Sequence, residues 1–283
     1  MPLPLDLVLL VLLAAFTHAL WNALVKVSGD RLVALAIVIC TGSLACVGPA
    51  FFVAPPEAAA WPFLFASMAL HQAYFALLLG AYRAGELNLV YPIARGSAPL
   101  LVAAAAASIS GEVPAPVGAL GILLASAGVA SLSLGRRPRL GGSRKAVALA
   151  LATGATIAGY TLMDGLGIRR AGGPWGYIVW LNMLTGVPIA AAALVAKRGQ
   201  VGQLLADQWK QGLAGGLFAL FAYGLVLYAL SRGAMGPVAA LRETSVLFAA
   251  LIGAFKLKES LGARRIAAAL AIAAGIVLMQ AGG

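Results

Sequence analysis

The chain has 283 residues, 62% apolar and only 10% charged, with a mean hydropathy of +0.96. A soluble domain carries about 25% charged residues, so a water-soluble fold is excluded and the chain reads as an integral membrane protein. The net charge of +11 sits in short breaks between apolar runs with no interleaved aromatics, which is the pattern of cytoplasmic loops and not of a nucleic-acid interface.

A spanning helix needs about 20 apolar residues. Windows of that size predict ten spans, over 4–25, 32–54, 61–82, 88–109, 114–134, 145–165, 174–196, 210–231, 236–256 and 262–281. The opening stretch, MPLPLDLVLLVLLAAF, lacks a positive n-region and carries Asp6. Its apolar run outlasts a signal peptide, so it is expected to remain as the first transmembrane helix. Within that helix His18 and Asn22 share a face, with Trp21 beside them and Lys26 at its end. Two readings stand: His18 takes a coupling proton while Asn22 bonds a polar ligand, or both are satisfied by neighbouring helices. In the second span Cys40 and Cys46 read as small buried thiols and not as a disulfide.

The third span contributes His71, Gln72, Tyr74 and Tyr82. In the fourth, VYPIARGSAP (90–99) places Arg95 inside an apolar run, with Tyr91 one turn before it and Pro92, Gly96 and Pro99 around it. A charge near the bilayer centre costs about 2.5–3.5 kcal/mol on insertion scales. Prolines remove backbone donors and kink or interrupt helices, so this helix is expected to be kinked or interrupted near the arginine.

The longest polar break, LGRRPRLGGSRK (134–145), divides the chain into a first half (1–135), a basic linker (136–145) and a second half (146–283). Beyond it, Asp164 reads either as a proton or sodium carboxylate or as a helix-end residue near water. Trp180 and Asn182 lie in the seventh span, Tyr223 and Tyr228 in the eighth. Aromatics near span ends are usually interfacial belts. Gly212 and Gly216 form a small-xxx-small spacing that reads as a packing face. In the ninth span PVAALRETSV (237–246) embeds Arg242, followed by Glu243 and Thr244. Adjacent helical residues do not face each other, so Glu243 is not placed to neutralise Arg242 within the helix.

A shift of 147 positions superposes Arg95 on Arg242, Glu112 on Glu259 and Gly128 on Gly275, with Ser97 meeting Thr244. Five spans is an odd number, so the second half re-enters the membrane from the opposite side. The expected fold is therefore all-α and integral to the membrane, with ten transmembrane helices as two inverted five-helix repeats. Fifteen cations flank the odd-numbered breaks against three in the even ones, which puts the odd-numbered loops in the cytoplasm.

There is no GxxxxGK[ST], no HExxH and no Cys/His cluster, hence no motif for a nucleotide, metal or other cofactor and no catalytic constellation. The expected partners are a small-molecule substrate, a coupling proton or sodium ion, and the lipid bilayer of the cell (inner) membrane, with no nucleic acid.

The segment HALWNALVK and the two half-endings, starting YPIARGSAPLL and VAALRETSVLF, are similar to the drug/metabolite transporter superfamily, EamA type. The similarity spans nearly the whole chain and includes Glu112, Glu259, Gly128 and Gly275 at the family's usual positions. It implies a carrier, often an exporter, with its ligand held between the halves. HALWN with YPIARG also resembles a branch associated with phosphonate utilisation. The second half departs from the first in lacking the proline pair, with Ala239 and Val246 in place of Pro92 and Pro99.

Together these readings favour a secondary transporter, not an enzyme, exporting a small anionic or zwitterionic metabolite by alternating access. Arg95, Arg242, Tyr91, His18, Asn22 and Trp21 would bind the substrate, and His18, Asp164 or Glu243 would handle a coupling ion. The alternative is a non-transporting scaffold or accessory subunit whose arginines are structurally paired.

Overall fold

The computed structural model describes residues 3–26, 31–83, 87–133, 143–257 and 262–282. Among these there is no strand. The α-helices are α1 (Leu5–Lys26), α2 (Arg31–Val47), α3 (Trp61–Arg83), α4 (Leu87–Ser110), α5 (Pro116–Ser131), α6 (Ser143–Ile168), α7 (Pro174–Ala196), α8 (Val201–Arg232), α9 (Met235–Arg242), α10 (Ser245–Leu257) and α11 (Ala263–Ala281). Among the described residues nine stretches are long and apolar enough to cross a membrane, α9 and α10 contributing one between them, and α5 is a shorter apolar helix. The protein is a multi-pass membrane protein.

Three boundaries differ from the sequence expectation. Helix α8 begins at Val201, so the seventh break shrinks and Lys210 is helical. Of the basic linker, Ser143, Arg144 and Lys145 open α6, and residues 136–142 lie outside the described residues, as does Glu259. The third difference concerns the interruption. Helix α4 is continuous through Pro92 and Pro99, while the ninth span, whose one proline is Pro237 near its start, breaks between α9 and α10, directly after Arg242. The Thr244 hydroxyl donates to the Leu241 carbonyl at 2.8 Å. The Glu243 and Thr244 amides donate three residues back, to Ala240 and Leu241. Side-chain competition for backbone acceptors and a tightened turn thus end α9 without a proline.

One end of the bundle is tied together by its connections. Glu57 N–H donates to the Ala171 carbonyl at 3.3 Å, and Leu3 and Gln280 exchange two hydrogen bonds at 3.1 and 3.0 Å. Glu112 accepts from the Arg169 guanidinium and from the Met235 amide at 2.7 Å. Arg169 also donates to the carbonyls of Leu230 and Gly233 at 3.0 and 2.7 Å. Helix α1 therefore starts at this end and α6 finishes there. Behind these ties the largest buried cluster, including Leu7, Val11, Leu64, Tyr177, Leu181, Leu227, Leu230 and Met235, fills the interior.

Helix neighbours come in exchanged pairs: α1 packs on α8 and α3 on α6, α4 on α6 and α1 on α9 and α10, and α5 on α11. Small residues set the closest approaches. A Cβ at Gly121 of α5 would lie 2.5 Å from the Gly275 carbonyl oxygen of α11, and one at Gly275 would lie 2.6 Å from that of Gly121. Gly212 and Gly216 of α8 face Ile37, Val38 and Thr41 of α2, the packing role expected of that spacing.

Candidate functional site

Between the packed end and the opposite end lies a cavity of about 110 Å³, bordered by His18 and Trp21 of α1, Leu35 and Val38 of α2, His71, Tyr74 and Phe75 of α3, Arg95, Tyr160, Asn182, Thr185, Tyr223 and Arg242. Both arginines are buried, at 3% and 7% exposure. Arg95 lies eight residues into α4, about 12 Å along its axis.

The two guanidinium groups are held differently. Arg95 Nε lies 2.8 Å from Glu243 Oε2, both side chains being buried. Its Nη2 donates to Ser245 Oγ at 2.9 Å, and its Cζ stands 5.9 Å from the Tyr91 ring centroid. The helix break makes this possible: the turn after Arg242 presents Glu243 and Ser245 to α4. Arg95 thus braces one half of the chain against the other. Arg242 makes no hydrogen bond or ion pair among the described residues. Its Cζ lies 5.7 Å from the Tyr223 ring centroid, and it borders the cavity.

Asp164 is fully buried, which removes the helix-end-near-water alternative. It accepts from Tyr177 Oη at 3.1 Å and from Tyr223 Oη, so it stands behind the Tyr223 ring. His18 Nδ1 accepts from Trp21 Nε1 at 3.2 Å. Asn22 returns its amide to the His18 carbonyl at 2.8 Å and does not border the cavity. Tyr91 does not border the cavity and lies beside Arg95.

Residues that the sequence singled out without assigning them to the site form its wall. His71 donates Nδ1–H to the Ser67 carbonyl at 2.9 Å and stacks on Tyr160 with centroids 4.0 Å apart and planes at 22°. Tyr223 meets His71 edge-on at 5.3 Å, and Tyr74 meets Tyr160 edge-on at 6.0 Å. Asn182 Nδ2 and Thr185 Oγ1 each donate to a carbonyl of their own helix, that of Ile178 and that of Leu181. Tyr160, the wall's centre, was not assigned to the site, though a comparison of HALWNALVK (18–26) with YTLMDGLGI (160–168) sets it opposite His18. Tyr228 stacks on Trp175 at 5.7 Å near the tied end, as an interfacial aromatic does. Among the described residues no group of His, Cys, Asp and Glu is gathered to hold a metal ion.

Residues 144–280 match the model of the EamA-like transporter family, and over them the resemblance to the drug/metabolite transporter superfamily holds. No curated protein matches the chain. A solved structure described as "Crystal structure of protein" superposes on 96% of this chain and 94% of its own, with a TM-score of 0.73 at 15% identity. That likeness is one of fold.

Proposed function

From a chain whose residues 144–280 are of EamA-like transporter type, we propose that the protein is a secondary transporter exporting a small organic anion or zwitterion by alternating access. The observation that carries this reading is Arg242, a buried cation at a helix break, bordering a cavity and unpaired among the described residues. Intramembrane charge without a partner is costly, and a visiting anion supplies the missing counter-charge through the forked donors of the guanidinium.

Trp21, His18 and Arg95 line the same cavity, and Tyr91 stands beside Arg95 without bordering it. Of the coupling-ion candidates, Asp164 communicates with the cavity through Tyr223. His18 borders it directly, and Glu243 is engaged by Arg95. The exchanged helix neighbours support two inverted five-helix halves in the 1–135 and 146–283 division. So does the opposite running of α1 and α6 from the tied end. The odd-numbered loops would face the cytoplasm of the inner membrane, so the tied end would close the outer face.

Reconstitution into proteoliposomes tests this. Preloaded organic anions should drive counterflow of a labelled one, and Arg242→Gln should lower the rate by about 100-fold. Normal counterflow in that variant would end the assignment. The scaffold reading draws on the Arg95–Glu243 brace; it predicts no counterflow by the wild-type protein with any solute.

A further inference from the structure

Resting on the transporter reading, we infer that the cavity selects a monoanion with a flat aromatic body, an aromatic monocarboxylate, over zwitterions of the same shape. The lining holds two guanidinium groups and no carboxylate among the described residues. Glu243 is committed to Arg95 at 2.8 Å, and Asp164 sits behind Tyr223, bound by two tyrosine hydroxyls. Of the two guanidinium groups, that of Arg242 is the one with no hydrogen bond or ion pair among the described residues. A monocarboxylate neutralises it. An ammonium on the same molecule would enter beside a guanidinium, with no carboxylate to receive it, and an unpaired buried cation is expensive.

The body of the ligand is specified by the wall. The Arg242 guanidinium stands 5.7 Å from the Tyr223 centroid. Tyr223 is edge-on to both His71 and Tyr160, at 5.3 and 6.2 Å. A carboxylate held by Arg242 therefore places its substituent among ring faces and edges, where a flat ring gains offset-stacked or edge-to-face contacts that an alkyl chain does not.

The test uses the purified full-length protein and ligand-dependent thermal stabilisation. The probes are 3-phenylpropionate, phenylalanine (the same skeleton with an ammonium) and butyrate (the same carboxylate without a ring). In the wild-type protein 3-phenylpropionate should half-saturate at a concentration about tenfold lower than either of the others. Arg242→Gln should abolish its effect and Arg242→Lys should retain part. Tyr160→Leu should narrow the gap between 3-phenylpropionate and butyrate.

Phenylalanine binding as tightly as 3-phenylpropionate, or tighter, would overturn the monoanion inference and leave an anion- or zwitterion-binding transporter in place. Butyrate binding equally would overturn the aromatic selection alone. If no probe shifts the wild-type melting curve, and counterflow is also absent, the transporter reading falls with the inference. The three wild-type titrations need no variant, so misfolding of a substituted protein cannot leave the question open.

Discussion

Arg95 and Arg242 occupy equivalent positions in the two halves of the sequence and have different jobs in the structure. Arg95 is one partner of a buried ion pair, so removing its charge strands Glu243. Breaking such a pair costs about 3–5 kcal/mol. Arg95→Gln should therefore lower the melting temperature well below that of the wild type, and Arg95→Gln combined with Glu243→Gln should recover most of the loss. Arg242→Gln removes no pair, so in ligand-free protein its melting temperature should stay within a few degrees of the wild type. Thermal unfolding of the four proteins side by side checks both statements. A large loss in Arg242→Gln would mean that Arg242 braces the bundle as well.

Between residues and whole molecule, the helices show where a local rule was overridden. Two prolines leave α4 continuous, while Thr244, by hydrogen bonding back to Leu241, helps to end α9. Ser97, the counterpart of Thr244, makes the same back-bond to Ala94 at 3.1 Å, yet α4 continues. The difference lies in what the next turn meets: in the second half Glu243 and Ser245 are drawn to Arg95. The α5–α11 contact is equally specific. Because a Cβ at Gly121 would lie 2.5 Å from a backbone oxygen, relief needs movement of a whole helix. Gly121→Val should destabilise by about 1–3 kcal/mol, read as a lower melting temperature. Gly48, whose Cβ would meet nothing within 4 Å, should tolerate the same change.

At the scale of the molecule, the tied end is what alternating access would have to open. Glu112 belongs to the first half, while Arg169 and the Met235 amide belong to the second, so the carboxylate latches the halves together. A hydrogen bond to a charged group contributes about 1.5–3 kcal/mol. Glu112→Gln should therefore speed amide exchange at Met235 by about tenfold or more, while the stabilisation of the protein by 3-phenylpropionate should persist. Unchanged exchange at Met235, measured by hydrogen–deuterium exchange, would show that the latch is not what holds this end shut.

Composition alone determined that this chain lives in a bilayer, because 62% apolar residues cannot be hidden in a fold of this length. The helical character of the chain and the unusual standing of Arg95 and Arg242 were also legible, the arginines because each is a departure from an apolar background. Partner choice was not. Whether Asn22 faces a ligand or its own backbone, and whether Glu243 serves the neighbouring arginine or one 148 residues away, depends on how helices rotate and cross. The same holds for Tyr160 and His71, whose aromatic wall exists only where α3, α6 and α8 converge. A one-dimensional sequence specifies which groups must be satisfied, and three-dimensional packing decided that Arg95 pairs with Glu243 and that Arg242 borders the cavity with no ion pair among the described residues.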